Sequence, residues 1–175
     1  RKLTPEQIEA EGKHTGTALT AVGVNMLLGP VLDAKDGALM DKMGRAFGDT
    51  PEEVSERSAA FIRGIRAGSD VLIVAKHFPG YDVAGNSDIA RVTSDATRDE
   101  ITARMQPFQD ADVDGIMMSS IRYTAFDGQP ACLSPDLIAL AREKHPDALI
   151  LTDDLAAQGL LSAESYAFFA HPEKT

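Results

Sequence analysis

The stretch VLIVAKHFPG, residues 71–80, runs five aliphatic residues into Lys76 and His77 and stops at Pro79 and Gly80. A short, continuous apolar run bounded by Gly and Pro has the pattern of a strand buried on both faces. Cations at the end of such a strand add nothing to a core. They fit a strand whose carboxyl end opens into a binding site.

The flanking sequence repeats this arrangement. Thr4, Pro5 and Glu6 read as a helix start, with Thr as N-cap, Pro in the first turn and an acid beside it; the helix should run to about residue 19. GVNMLLGPVLD (23–33) is an apolar run ending in Asp33 and reads as a buried strand. DTPEEV (49–54) opens a second helix, to about residue 67. Residues 80–94 are rich in Gly, Asn, Asp and Ser and form a loop long enough to suggest a functional role. A helix is expected over 97–112, a strand over 115–120, a helix over 134–144, a strand over 148–154, and a last helix from about residue 162. About four strands thus alternate with helices. This predicts an α/β fold with a parallel sheet covered by helices. The strands end in Asp33, in Lys76 and His77, in Ser119 and Ser120, and in Asp153 and Asp154. In a parallel sheet all of these lie on one side.

Composition narrows the classes. The chain has 175 residues and a formal net charge of −10, with no Lys/Arg cluster, which argues against nucleic-acid binding. Its single cysteine, Cys132, cannot form an internal disulfide and does not fix a compartment, and no Cys/His set has zinc spacing. No apolar run approaches the ~20 residues of a membrane span. No glycine-rich nucleotide loop follows a strand. The reading therefore names no metal and no cofactor.

Two readings of Asp153 and Asp154 stay open on spacing alone: one caps the next helix while the other is solvated, or one supplies a nucleophile or base. Lys76 and His77 can both hydrogen-bond the hydroxyls of a polar ligand. Arg45, in a loop, reads as a surface arginine, and Asp33 as a loop cap or a partner for an arginine. His14, His145 and His171 receive no role.

Five motifs together carry a resemblance: VNMLLGPVLD (24–33), RAFGDTPEEV (45–54), VAKHFPG (74–80), ACLSPDLI (131–138) and LILTDDL (149–155). Their order and spacing resemble the N-terminal barrel domain of glycoside hydrolase family 3, which contains bacterial β-N-acetylhexosaminidases and β-glucosidases. The resemblance covers nearly the whole chain. It implies a (β/α)8-like TIM barrel and retaining hydrolysis of terminal β-linked sugars through a glycosyl-enzyme intermediate. It places the nucleophile on Asp153 and sugar-binding roles on Lys76, His77 and Arg45, with a carbohydrate as the partner.

The sequence departs from the family in two places. In the hexosaminidase branch the loop after KHFPG carries an Asp-Ser-His triplet that supplies the acid/base dyad. Here the loop reads YDVAGNSD (81–88), and Asn86, Ser87 and Asp88 stand in place of the triplet. Asp88, with Asp82 as the other choice, is the expected direct carboxylic acid; the alternative is a non-catalytic carbohydrate-binding relative. A third reading, a response-regulator-like module built on Asp153 and Asp154, is disfavoured because the acid pair and the lysine fall in the reverse order. A full barrel also needs eight strands and typically ~250 residues. The expectation is therefore that residues 1–175 are part of one barrel domain of about four βα units and belong to a longer chain. Such a piece leaves two sheet edges open, and open edges invite self-association.

Overall fold

The computed structural model describes residues 3–34, 36–157 and 160. Its main sheet has four parallel strands in sequence order: β1 (Met26–Leu27), β2 (Leu72–Phe78), β4 (Gly115–Met118) and β6 (Leu149–Thr152). A second parallel pair, β3 (Thr93–Ser94) with β5 (Arg122–Tyr123), stands outside it. The helices are α1 (Pro5–Ala21), α2 (Leu39–Lys42), α3 (Pro51–Gly68), α4 (Arg98–Arg104), α5 (Gln106–Asp110) and α6 (Pro135–Lys144). Parallel neighbours joined by helical crossovers give the expected α/β architecture.

The helix starts follow the expected chemistry. Thr4 accepts from the Gln7 amide and Gln7 answers with its side chain, closing a capping box on α1. Thr50 and Ser134 cap α3 and α6, each followed by Pro in the first turn. α1 and α3 touch backbone to backbone. A Cβ on Gly64 would stand 2.0 Å from the Glu9 carbonyl oxygen, and one on Gly12 would stand 2.2 Å from that of Phe61.

Three elements differ from expectation. Residues 23–33 form only the short β1 and an isolated bridge from Val31 to Lys76. Pro30 has no amide to donate, so the segment pairs through carbonyls and later amides: the Lys76 amide donates to the Pro30 carbonyl (3.1 Å) and the Leu32 amide to the Lys76 carbonyl (2.7 Å). The helix expected over 97–112 divides into α4 and α5, because Pro107 removes a helical donor and crowds the preceding turn. The break lets Phe108 reach the core, where its ring meets Phe78 edge-on at 5.4 Å. β2 also continues beyond Ala75 through Phe78. The helix expected from residue 162 lies outside the described residues.

The core lies between the sheet and the helices. Ala75, Phe78, Ile101, Phe108, Ile116, Met118, Tyr123 and Leu137 are all buried in it. Full burial of the Leu, Ile, Met and Phe side chains contributes roughly 1.5–3 kcal/mol each. The edge strands are less covered: Leu149 on β6 is half exposed.

Candidate active site

The carboxyl end of the sheet holds a cavity of about 230 Å³. Lys76 and His77 reach it from β2, Asp153 and Asp154 from the end of β6, Arg45 from the α2–α3 loop and Asp88 from the long loop. Every residue expected to act on a ligand therefore lines one cavity. Asn86, Ser87, Tyr81 and an apolar wall of Leu39, Met40 and Met43 complete the lining.

The strand delivers two adjacent side chains because its ladder slips. Val74, Ala75 and Lys76 pair with Gly115, Ile116 and Met117, whereas Met118 pairs with Phe78, so His77 is an extra residue. Such a bulge re-aims side chains that alternation would send to opposite faces. Past the strand, the Gly80 amide turns back to the His77 carbonyl (2.9 Å) at φ +124, a conformation that suits glycine. Gly44, at φ +65, turns the chain after α2 so that Arg45 donates its amide to the Met40 carbonyl (2.8 Å).

Asp33 is 1% exposed, and its carboxylate is fully engaged. Oδ2 lies 2.7 Å from His77 Nδ1, and Oδ1 accepts from the backbone amides of Tyr81 (2.7 Å) and His77 (3.2 Å). Nδ1–H is thus committed to Asp33, so Nε2 of a neutral imidazole is an acceptor and becomes a donor only on protonation. Nε2 points toward Asp153, whose Oδ2 is 4.0 Å away. Asp33, His77 and Asp153 therefore form a line from the buried interior to the cavity.

Lys76 is half-buried beside Arg45, Asp153 and Asp33. Burial lowers its pKa first and the Arg45 charge lowers it further, while Asp153 and Asp33 oppose the shift.

The two adjacent carboxylates divide their work. Asp154 accepts the Ala156 amide on Oδ1 (2.8 Å), a local turn-capping bond. Asp153 accepts the Asp154 amide on Oδ1 (2.9 Å), which leaves Oδ2 facing His77. In the long loop, Asp88 faces the cavity. Asp82 does not: its Oδ2 binds Arg104 and the Ser94 hydroxyl (2.6 Å), and its side chain is 3% exposed. Asp82 is therefore not part of the cavity lining. Ser119 and Ser120 are buried at the end of β4 and do not line the cavity.

Comparisons with known proteins identify the family of the chain. Residues 1–170 match the family described as Glycosyl hydrolase family 3 N terminal domain. The chain belongs to glycosyl hydrolase family 3. A beta-hexosaminidase of Methylococcus capsulatus is 36% identical over 166 residues, covering 91% of this chain and 49% of that protein. The solved β-N-acetylhexosaminidase of Beutenbergia cavernae is 32% identical, with a TM-score of 0.82 over 96% of this chain and 54% of its own. A family 3 β-N-acetylglucosaminidase from Paenibacillus is 28% identical, with a TM-score of 0.82 over 89% of this chain and 31% of its own. The chain spans about half the length of the curated relatives it matches.

The four parallel strands are accordingly a portion of the family 3 TIM-barrel-like domain. Two residues that contact His77 at the candidate site are not evident from sequence. Asp33 reads there as a loop cap or an arginine partner, whereas its partner is His77. Its only sequence signal is its place at the end of an apolar run, level with the other strand ends. Tyr81, 2% exposed and edge-on to His77 at 6.0 Å, carries no signal beyond following Gly80. Among the described residues no helix is long and apolar enough to cross a membrane.

Proposed function

We propose that the protein containing this chain is a retaining glycoside hydrolase that releases terminal β-linked sugars and resembles a β-N-acetylhexosaminidase. The observation that carries this reading is the single cavity shared by Arg45, Lys76, His77, Asp88 and Asp153 in a chain of this family. Arg45, Lys76 and His77 bind the sugar hydroxyls. Asp153 Oδ2 attacks the anomeric carbon as the glycosidic bond breaks, and Asp88 gives its proton to the departing oxygen. Asp88, now a carboxylate, then takes a proton from water. The water oxygen bonds to the anomeric carbon, and the bond to Asp153 breaks with net retention. The buried Asp33 holds the imidazole of His77 in one orientation. On this reading the described strands belong to one barrel domain, and the edges of β1 and β6, which pair with no further strand among the described residues, would favour self-association of this stretch on its own.

The test is release of 4-nitrophenol from 4-nitrophenyl N-acetyl-β-D-glucosaminide by the protein at its full natural length. Wild-type turnover that disappears in Asp153→Asn is the expected result. Turnover unaffected by that change would overturn the nucleophile assignment. The replacement of Asp-Ser-His by Asn86, Ser87 and Asp88 favours one second reading, a carbohydrate-binding relative without turnover. That reading predicts sugar binding that weakens in Lys76→Ala and no nitrophenol release.

A further inference from the structure

The loop over residues 80–94 forms no helix or strand before β3; the turn that presents Asp88 closes with the Ile89 (3.3 Å) and Ala90 (3.2 Å) amides on the Asn86 carbonyl, and side chains tie it to the rest of the site. The Tyr81 hydroxyl donates to the Gly85 carbonyl (2.6 Å) and accepts from the Ser87 amide (2.9 Å), bracketing Asn86. The Asn86 side chain then accepts the Asp88 amide (2.9 Å). Burial raises the pKa of the Tyr81 phenol, opposed by its hydrogen bonds to Ser87, so it remains a donor at neutral pH. At the other end of the same residue, the Tyr81 amide donates to Asp33 Oδ1, and the ring stands edge-on to His77.

Tyr81 thus connects both halves of the site. Its backbone is fixed by the carboxylate that orients His77, and its side chain fixes the turn that ends in Asp88. The neighbouring loop contacts restrain other residues: Asp82 is held by Arg104 and Ser94, and the Val83 carbonyl accepts the Leu39 amide (2.9 Å). Among the described residues, no other side chain bonds both the Gly85 carbonyl and the Ser87 amide.

We infer that Tyr81 is a positioning residue, a strut that locks the turn at residues 86–88 to the Asp33–His77 pair and so sets where the Asp88 carboxyl meets the leaving group. The inference rests on the reading of Asp88 as the proton donor. A structural hydroxyl elsewhere would affect stability alone. This one should affect catalysis in proportion to how much proton donation the substrate needs. General acid catalysis contributes about 10²–10⁴-fold, and misplacing the donor forfeits part of that.

The test is Tyr81→Phe in the protein at its full natural length. Phe keeps the buried ring against His77 and deletes both bonds to the turn. kcat/KM, which reports the first, bond-breaking step, is measured on a series of β-glycosides from alkyl to dinitrophenyl leaving groups, together with amide hydrogen exchange. The expected result is a kcat/KM loss of about 10–100-fold on alkyl glycosides, with little change on dinitrophenyl ones. The Ser87 and Asp88 amides should exchange faster, with the Val74 and Ile116 amides unchanged. Unaltered exchange together with an unaltered leaving-group dependence would overturn the strut. Faster exchange combined with a catalytically silent Asp88→Asn would overturn the acid reading of Asp88 while supporting the hold of Tyr81 on the turn.

Discussion

Asp33 and His77 lie 44 positions apart in the chain and meet at 2.7 Å, carboxylate Oδ2 to imidazole Nδ1, with both side chains buried. The bond fixes which ring nitrogen faces the cavity. Asp33→Asn retains the shape but cannot accept Nδ1–H on its amide nitrogen, so the ring must present the opposite tautomer toward Asp153. kcat/KM should fall by about 10–100-fold, the ~1.5–3 kcal/mol of a charge-assisted hydrogen bond. Asp33→Ala should also lower Tm, because the His77 and Tyr81 amides lose their acceptor at roughly 1–3 kcal/mol per orphaned donor. Steady-state kinetics and a melting curve on both variants check the pair.

The ammonium of Lys76 should set an alkaline limit on ligand binding. Burial and Arg45 lower its pKa, so it loses its proton at a lower pH than an exposed lysine, and kcat/KM should decline there as pH rises. Arg45→Met removes one of the two lowering influences. The limb should then move to higher pH, although the absolute kcat/KM falls with the lost guanidinium. A limb that stays in place, or moves down, contradicts the assigned coupling.

Cys132 is buried, and desolvation raises its thiol pKa to about 11, with the Asp153 charge adding to the effect. The thiolate, which is the reactive form, is then scarce at neutral pH. In the native protein a peptide-mapped alkylation should leave Cys132 unlabelled at pH 8. Labelling should become complete in denaturant. Rapid native labelling would place the thiol at the surface.

The contact of α1 with α3 tolerates no side chain at Gly64. Alanine ordinarily favours a helix by about 1 kcal/mol over glycine. Here its Cβ would meet the Glu9 carbonyl and the Lys13 amide nitrogen at 2.0 and 2.8 Å, both backbone atoms. Overpacking of this kind costs about 1–3 kcal/mol or more, so Gly64→Ala should lower Tm. Turnover at a temperature well below the transition should be nearly unchanged, since α1 and α3 contribute nothing to the cavity lining.

The residues themselves explain what sequence reading can reach. Aliphatic runs and Thr-Pro or Ser-Pro starts locate strands and helices because those signals are local. Polar strand ends locate the site because parallel strands share a direction: Lys76, His77 and Asp153 become neighbours on that argument alone. The partner of Asp33 is beyond such reasoning, since pairing across 44 residues depends on the register of β1 against β2. Which of Asp82 and Asp88 faces the cavity is likewise hidden in an aperiodic loop and depends on Arg104, a residue of a different element that holds Asp82. Pro30 and Pro107 break the expected elements where a missing amide outweighs an apolar pattern.

The additional residue at position 77 resets the odd–even parity of β2. Ile73 and Ala75 keep ordinary two-residue spacing, yet the next anchor packed with Ala75 in the main core is Phe78, three positions on. Deleting or inserting one residue between 75 and 78 would not merely shift the cations by a step; it would trade places between the aromatic anchor and the ligand-facing pair. This short segment should therefore tolerate point substitution far better than any change in length.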